Sequence, residues 1–209
     1  HIKQQEDKNM AISLKKGGNI SLSKEAPGIS KFLIGLGWDA RTTDGSAFDL
    51  DVMALSVGAN GKVRNESDFF FYGLAAVKGQ PFDSADGSLH HNGDNTTGDG
   101  DGDDEQLVID TSKVADDVEK IVVLLAIYDA EERKQSFGDV RNAYLRVADA
   151  ANQATDIVKL DLSEDFSTER VINVAEVYKK DGEWKVRHVA QGYGNGLVAA
   201  LADFGISAA

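Results

Sequence analysis

A chain of 209 residues suggests one large domain, or two at most, at roughly 150 residues per domain. Its 22 Lys and Arg stand against 35 Asp and Glu, a formal net charge of −13 that disfavours nucleic acid and anionic lipid and points to cationic partners. With no cysteine, disulfides, thiolate catalysis and every Cys-ligated zinc or iron–sulfur site are excluded, so a metal must be held by oxygen or imidazole.

Residues His1–Asn9 are polar and mixed in charge, unlike a signal peptide. Met10 is the expected start, with residues 1–9 a disordered or introduced extension and 10–209 a single domain. Short β-type runs follow in close succession: Ile12–Leu14, Phe32–Trp38, Phe48–Val57, Asp68–Tyr72 and Leu107–Ile109 in the first half. The second half carries Ile121–Tyr128, Ala143–Val147, Asp156–Leu160, Val171–Tyr178 and Glu183–Val189. Turn chemistry separates them, which favours a two-sheet β-sandwich or a barrel over a βαβ fold. Asn60-Gly61 and Asp181-Gly182 supply the positive φ of tight hairpins. A short helix is predicted around Ala130–Phe137. A C-terminal helix follows from Leu197, Leu201 and Phe204 at i, i+4 and i+7, with Gly205 as its stop. The longest apolar run, Ile121–Ile127, has seven residues and is too short to span a membrane, so membrane insertion is not expected. With no export signal visible, a cytoplasmic location is the default expectation.

Chemistry concentrates in Asp94–Glu105, where Asp94, Asp99, Asp101, Asp103, Asp104 and Glu105 place six acids in twelve residues. Carboxylates this dense raise one another's pKa unless a cation sits among them, and the interspersed glycines let the backbone curl around one. Calcium takes such a shell of about six to eight oxygens, whereas magnesium prefers to keep its water; a solvated acidic loop is the alternative. The EF-hand pattern fails, because the sixth position from Asp99 is Asp104 instead of glycine and the twelfth is Asp110 instead of glutamate. In Phe48–Val57, strand alternation puts Asp49 and Asp51 on one face about 7 Å apart. Met53, Leu55 and Val57 share that face, so bare solvation explains the aspartates less naturally than a shared ion. Asp39, closing the preceding run, could converge with them.

Other chemistries have weaker support. Zinc at His90-His91 is disfavoured because adjacent residues of an extended chain point oppositely. Two carboxylates of a glycoside hydrolase about 5 to 9.5 Å apart remain open, as does a calcium-scaffolded carbohydrate-binding module using Trp38, Trp184 and Tyr193. Buried core aromatics are the plainer account of those three. Asp129 serves as a site residue or simply as a strand-end or cap aspartate. No Gly-x-Ser-x-Gly or Walker loop occurs, and Gly192-x-Gly194-x-Gly196 lacks dinucleotide spacing.

Five segments together resemble the TerD family of tellurite-resistance and stress proteins: Gly35-Leu36-Gly37-Trp38-Asp39, Phe48-Asp49-Leu50-Asp51, Asp68-Phe69-Phe70-Phe71-Tyr72, the block from His91 to Glu105, and Gln135-Ser136-Phe137-Gly138. The resemblance runs from Met10 to the C-terminus and departs at Gly73–Ser84, which reads as a longer loop. It implies an all-β, two-sheet β-sandwich with a short C-terminal helix, two bound calcium ions and no catalytic activity. The ligands it implies are Asp39, Asp49, Asp51, Asp94, Asn95, Asp99, Asp101, Asp103, Asp104 and Glu105. The role it implies is a bacterial stress response exerted through association with other stress-response proteins or a membrane-associated complex.

Overall fold

The computed structural model describes residues 10–163 and 166–207; the extension 1–9 lies outside the described residues. In chain order the elements are β1 (Ile12–Ser13), β2 (Asn19–Ser21), α1 (Leu22–Glu25), β3 (Lys31–Gly37), β4 (Leu50–Val57), β5 (Phe69–Phe70), β6 (Phe82–Asp83) and β7 (Leu89–His91). They continue with β8 (Glu105–Asp110), β9 (Lys120–Ile127), β10 (Tyr144–Asp149), β11 (Asn152–Asp161), β12 (Val171–Lys180), β13 (Glu183–Tyr193) and α2 (Leu197–Asp203). One sheet runs β1-β11-β10-β3-β8-β7-β6 and the other β2-β13-β12-β9-β4-β5. The molecule is thus an all-β, two-sheet sandwich with a short C-terminal helix.

The long strands form where apolar and β-branched residues alternate or run together. Leu50, Val52 and Ala54 of β4 and Ile121, Val123, Leu125 and Ile127 of β9 face inward, into a core shared with Phe32, Ile34 and Leu36 of β3. Across β4 and β9 the register is unbroken, from Leu50 opposite Ile127 to Val57 opposite Lys120. The opposite face is also apolar. Met53, Leu55 and Val57 join Val122, Leu124 and Ala126 in a second cluster closed by Ala200 and Phe204 of the C-terminal segment. Helix α2 is therefore a lid on an outer sheet face, which explains why β4 is buried on both sides.

The Asp181-Gly182 hairpin forms as expected, with Lys180 opposite Glu183 and φ of 52° and 77° at the two turn residues. At Asn60-Gly61 a tight turn closes with the Gly58 N–H donating to the Lys62 carbonyl at 2.9 Å, but the flanks share only the single bridge Val57–Val63. No α-helix occupies Ala130–Phe137. Asp129 and Lys134 both take left-handed φ, 50° and 53°, which breaks the segment into turns ahead of a 3₁₀ turn at Phe137–Asp139. Within Gly73–Ser84 the chain turns and then adds β6, which pairs Phe82 with His91 and Asp83 with His90. No helix among the described residues is long and apolar enough to cross a membrane.

Candidate metal centre

The centre is built where strand β5 stops short. β5 pairs with β4 only at Ala54 and Leu55, leaving the upstream edge of β4 without a strand neighbour. Glu105, at the start of β8 in the opposite sheet, reaches that edge and accepts the Val52 N–H on Oε2 at 2.8 Å. The free edge is satisfied by a carboxylate from the other sheet, and this fixes Glu105 beside Asp51.

Asp49, Asp51 and Asp94 gather there, each offering a carboxylate oxygen within 4.8 Å of the others'. Among the described residues no other group of three or more His, Asp or Glu side chains meets that spacing. Asp49 is 7% exposed and Asp51 3%, so charge on this group has lost most of its solvation. Burial first, and then the Asp49 and Asp94 charges, pushes Asp51 up to about 8. Burial, then Asp94, raises Asp49 to about 6, against a lowering pull from Arg133 and Lys78. Glu105 is raised well above the carboxylate range, mainly by burial and then by the Asp51 charge.

The buried oxygens Asp49 Oδ1, Asp94 Oδ1 and Glu105 Oε1 have no hydrogen-bond partner. Buried carboxylate oxygens left bare and crowded together are costly, and the cost is relieved by an oxygen-seeking cation. The donor set is all oxygen, which suits a hard cation of the calcium or magnesium type. His91 also lies here, 1% exposed, with Nε2 3.7 Å from Glu105 Oε2. Its Nδ1 accepts the Gly93 N–H at 3.1 Å, which places the ring proton on Nε2, and burial holds its pKa down near 4. It is a neutral wall, not a counter-charge. Tyr72 closes another side: burial, and then the charge of Asp51, raises its hydroxyl to about 12.

A second acidic neighbourhood surrounds Trp38. Asp104 accepts the Trp38 N–H at 2.9 Å and Asn95 Nδ2 at 3.2 Å. Its pKa is raised by burial first, with the charges of Asp103, Asp99 and Asp39 adding to the rise. Asp39 and Asp99 line one cavity of about 350 Å³ beside the Trp38 ring, and Asp101 lines an adjoining one together with Asp39. Gly98 makes this approach possible: a Cβ there would stand 2.3 Å from the indole nitrogen, and its φ is +72°.

Two residues of the acidic block hold structure: one shapes the loop and the other anchors it to the sheet. Asn95 Oδ1 accepts the N–H groups of Thr97 and Gly98, both at 3.1 Å, and shapes the turn. Asp103 faces away from the cluster: its oxygens take the Arg146 guanidinium at 2.7 to 2.9 Å, Gln106 Nε2 at 2.9 Å and the Tyr144 hydroxyl at 3.1 Å. The gathered set is therefore Asp49, Asp51 and Asp94 with Glu105 beside them, and Asp39, Asp99, Asp101 and Asp104 lie around Trp38. Sequence reasoning did not single out Tyr72 or assign His91 to this wall. Their only signals were the aromatic run ending at residue 72 and the pair at 90–91.

His90 points the other way from His91, its Nδ1 2.7 Å from Asp83, so the two imidazoles do not converge. Asp129 stands two residues past the end of β9, and its charge contributes to the rise at Asp49. Trp38 is buried with Nε1 donating to the Phe48 carbonyl at 3.2 Å, Trp184 lies under Lys179 Nζ at 5.3 Å, and Tyr193 packs on the α2 cluster. These three make no open aromatic platform.

Residues 10–204 match the family model of the TerD domain. The chain belongs to the TerD family. It is 50% identical to the tellurium resistance protein TerD of Serratia marcescens over 199 residues, covering 95% of this chain and all of that one. It is 40% identical to general stress protein 16U of Bacillus subtilis over 198 residues, 94% of this chain and 98% of the relative. A crystal structure described as a homologue of the telluride resistance protein TerD from Streptomyces coelicolor superposes with a TM-score of 0.68 at 20% identity, over 87% of this chain and all of that one. At that identity the likeness shows the shared fold. TerD-family membership places the chain among tellurium-resistance and stress-response proteins.

Proposed function

We propose that this TerD-family chain is a calcium-binding protein of the tellurite and chemical stress response, acting by metal-dependent association with partners and without turnover of its own. The observation that carries this reading is the convergence of Asp49, Asp51 and Asp94 within one ion's reach, with buried carboxylate oxygens otherwise bare. Glu105 closes the first site; Asp39, Asp99, Asp101 and Asp104 are assigned to a second ion around Trp38. Calcium is favoured over magnesium because the ligand set is crowded and all oxygen, and calcium tolerates irregular shells of high coordination number. A bound ion supplies positive charge that lets the carboxylates ionise together. Around it, Val52 N–H and Trp38 N–H hold Glu105 and Asp104 in place.

The consequence for function is a switch. Without the ion, mutual repulsion loosens the loop from Asp94 to Glu105; with it, the loop becomes a fixed surface that stress-response proteins or a membrane-associated complex can recognise. A cytoplasmic location is part of this proposal. The test is the thermal midpoint in calcium, in magnesium and in chelator. A ligand bound by the folded state alone raises the midpoint by about 2.7 kcal/mol of stabilisation at a hundredfold excess over its dissociation constant. Calcium is expected to raise the midpoint, and magnesium to raise it less. Equal midpoints in calcium and chelator would refute the reading.

A further inference from the structure

Next to the acidic centre lies its electrostatic opposite. A cavity of about 400 Å³ opens between the segment following β3 and the turns that precede β10, and its wall carries Arg41, Arg133, Lys134 and Arg141. In a chain of net charge −13 such a gathering of cations is against the average. None of the four stands in an ion pair among the described residues, whereas Lys24, Arg64, Lys120, Arg146, Arg170 and Arg187 each hold a carboxylate.

Neutral groups hold two of the guanidiniums in position without cancelling their charge. Arg41 donates from Nε to Thr43 Oγ1 at 3.1 Å and from Nη1 to the Ser46 carbonyl at 3.2 Å, and lies over the Phe48 ring at 5.2 Å. Arg133 lies over the Tyr128 ring at 5.1 Å and donates to the Ala47 carbonyl at 3.5 Å. Each keeps unused donors of its planar fork. Two acids share the wall and keep their charge, since their partners are neutral as well: Asp39, assigned above to the second ion, accepts from the Asn142 amide, and Asp139 accepts the Ser136 N–H at 3.0 Å and its hydroxyl at 3.2 Å. Thr42 adds a hydroxyl.

Four cations against two carboxylates leave the wall positive by about two charges, and a single anion with several oxygens can meet the guanidinium donors that no carboxylate takes. Donors arriving from separate segments suit a tetrahedral oxyanion better than a planar carboxylate, which a single guanidinium fork already satisfies. We propose that this cavity is a binding site for an oxyanion of the phosphate class, as the free ion or as the phosphoryl group of a small metabolite. The volume leaves room beyond the anion for its water or for a small organic remainder.

The test is an amide NMR titration of the full chain at constant ionic strength, with inorganic phosphate, sulfate and glycerol phosphate as probes and chloride as the balancing ion. Saturable shifts confined to residues 39–43 and 133–141 are expected. Tighter binding of inorganic phosphate identifies the free ion, and tighter binding of the monoester identifies the phosphoryl group. Arg41→Gln combined with Arg141→Gln should weaken the binding about tenfold or more. Lys15→Gln combined with Lys16→Gln removes the same charge from an exposed loop outside the cavity and should change it less than about twofold. If the Arg41 variant loses its dispersed spectrum, the exposed Lys134→Gln carries the comparison, with a several-fold loss expected. Shifts that spread over the surface without saturating, or equal losses in cavity and control variants, would overturn the site.

Discussion

At Asp51 the fold accepts a carboxylate that resists ionising, with burial opposing its charge and Asp49 and Asp94 adding to the opposition. Asp51→Asn keeps the shape and removes the charge. In chelator this variant should melt a few degrees higher than the parent, since about 1 kcal/mol shifts the midpoint of a chain this size by about 2–4 °C. In calcium its midpoint should gain little, and a full calcium-induced rise in the variant would remove Asp51 from the ligand set. Asp103 is expected to behave in the opposite way. Its carboxylate is 2% exposed and pairs with Arg146, itself only 14% exposed, so the contact is structural. Gly35 leaves room for it, since a Cβ there would stand 2.3 Å from an Asp103 oxygen. Asp103→Ala should cost about 2 kcal/mol, because Arg146 loses its bidentate partner but keeps Asp156 at 2.9 Å, read by denaturant unfolding. Calorimetric calcium affinity should stay within about threefold; a larger loss would bring Asp103 into the coordination sphere. The sequence announced the charge density of residues 94–105 but not which members turn inward. That division depends on Arg146, distant in the chain, and on the Val52 N–H left open by a short neighbouring strand.

Among the elements, the C-terminal helix shows how the apolar face of β4 beyond the metal centre comes to be buried. Met53, Leu55 and Val57 extend the face that begins with Asp49 and Asp51, and Ala200 and Phe204 cover that extension. Phe204→Ala should therefore destabilise the fold by about 3 kcal/mol, measured by denaturant unfolding with an unchanged slope. A cost under about 1 kcal/mol would mean the C-terminal segment is not the lid described here. The long strands were legible because alternation and apolar runs record which faces are covered, and α2 because Leu197, Leu201 and Phe204 share one helical face. β2, β6 and β7 were not: segments such as Asn19–Ser21 and Leu89–His91 carry little apolar signal and become strands by pairing with β13 and β8. The expected helix at Ala130–Phe137 failed for a related reason. Its composition suits a helix, but backbone geometry at Asp129 and Lys134 is set by Tyr128 N–H donating to the Asp49 carbonyl and by Gln135 Nε2 donating to the Ser46 carbonyl at 2.8 Å each, contacts a local pattern does not contain.

For the molecule as a whole, the buried carboxylates make stability depend on pH with a definite sign. Asp49 and Asp51 have folded values of about 6 and about 8 against 3.8 for the free side chain, so between these limits the cation-free folded state binds more protons than the unfolded chain. The stability tied to that excess is present at low pH and lost as pH rises through the folded values. In chelator the thermal midpoint should fall between about pH 5 and pH 8.5, and saturating calcium should remove the fall, because the ion takes the place of the protons. A midpoint in chelator that climbs across this window would invert the sign and count against the burial of these groups. The most direct measurement of all is the anomalous difference density of crystals grown in calcium. A peak bounded by Asp49, Asp51 and Asp94, with Glu105 alongside, is the expected result. Calcium-saturated crystals with no peak there, and with those carboxylates turned to bulk solvent, would contradict the central claim.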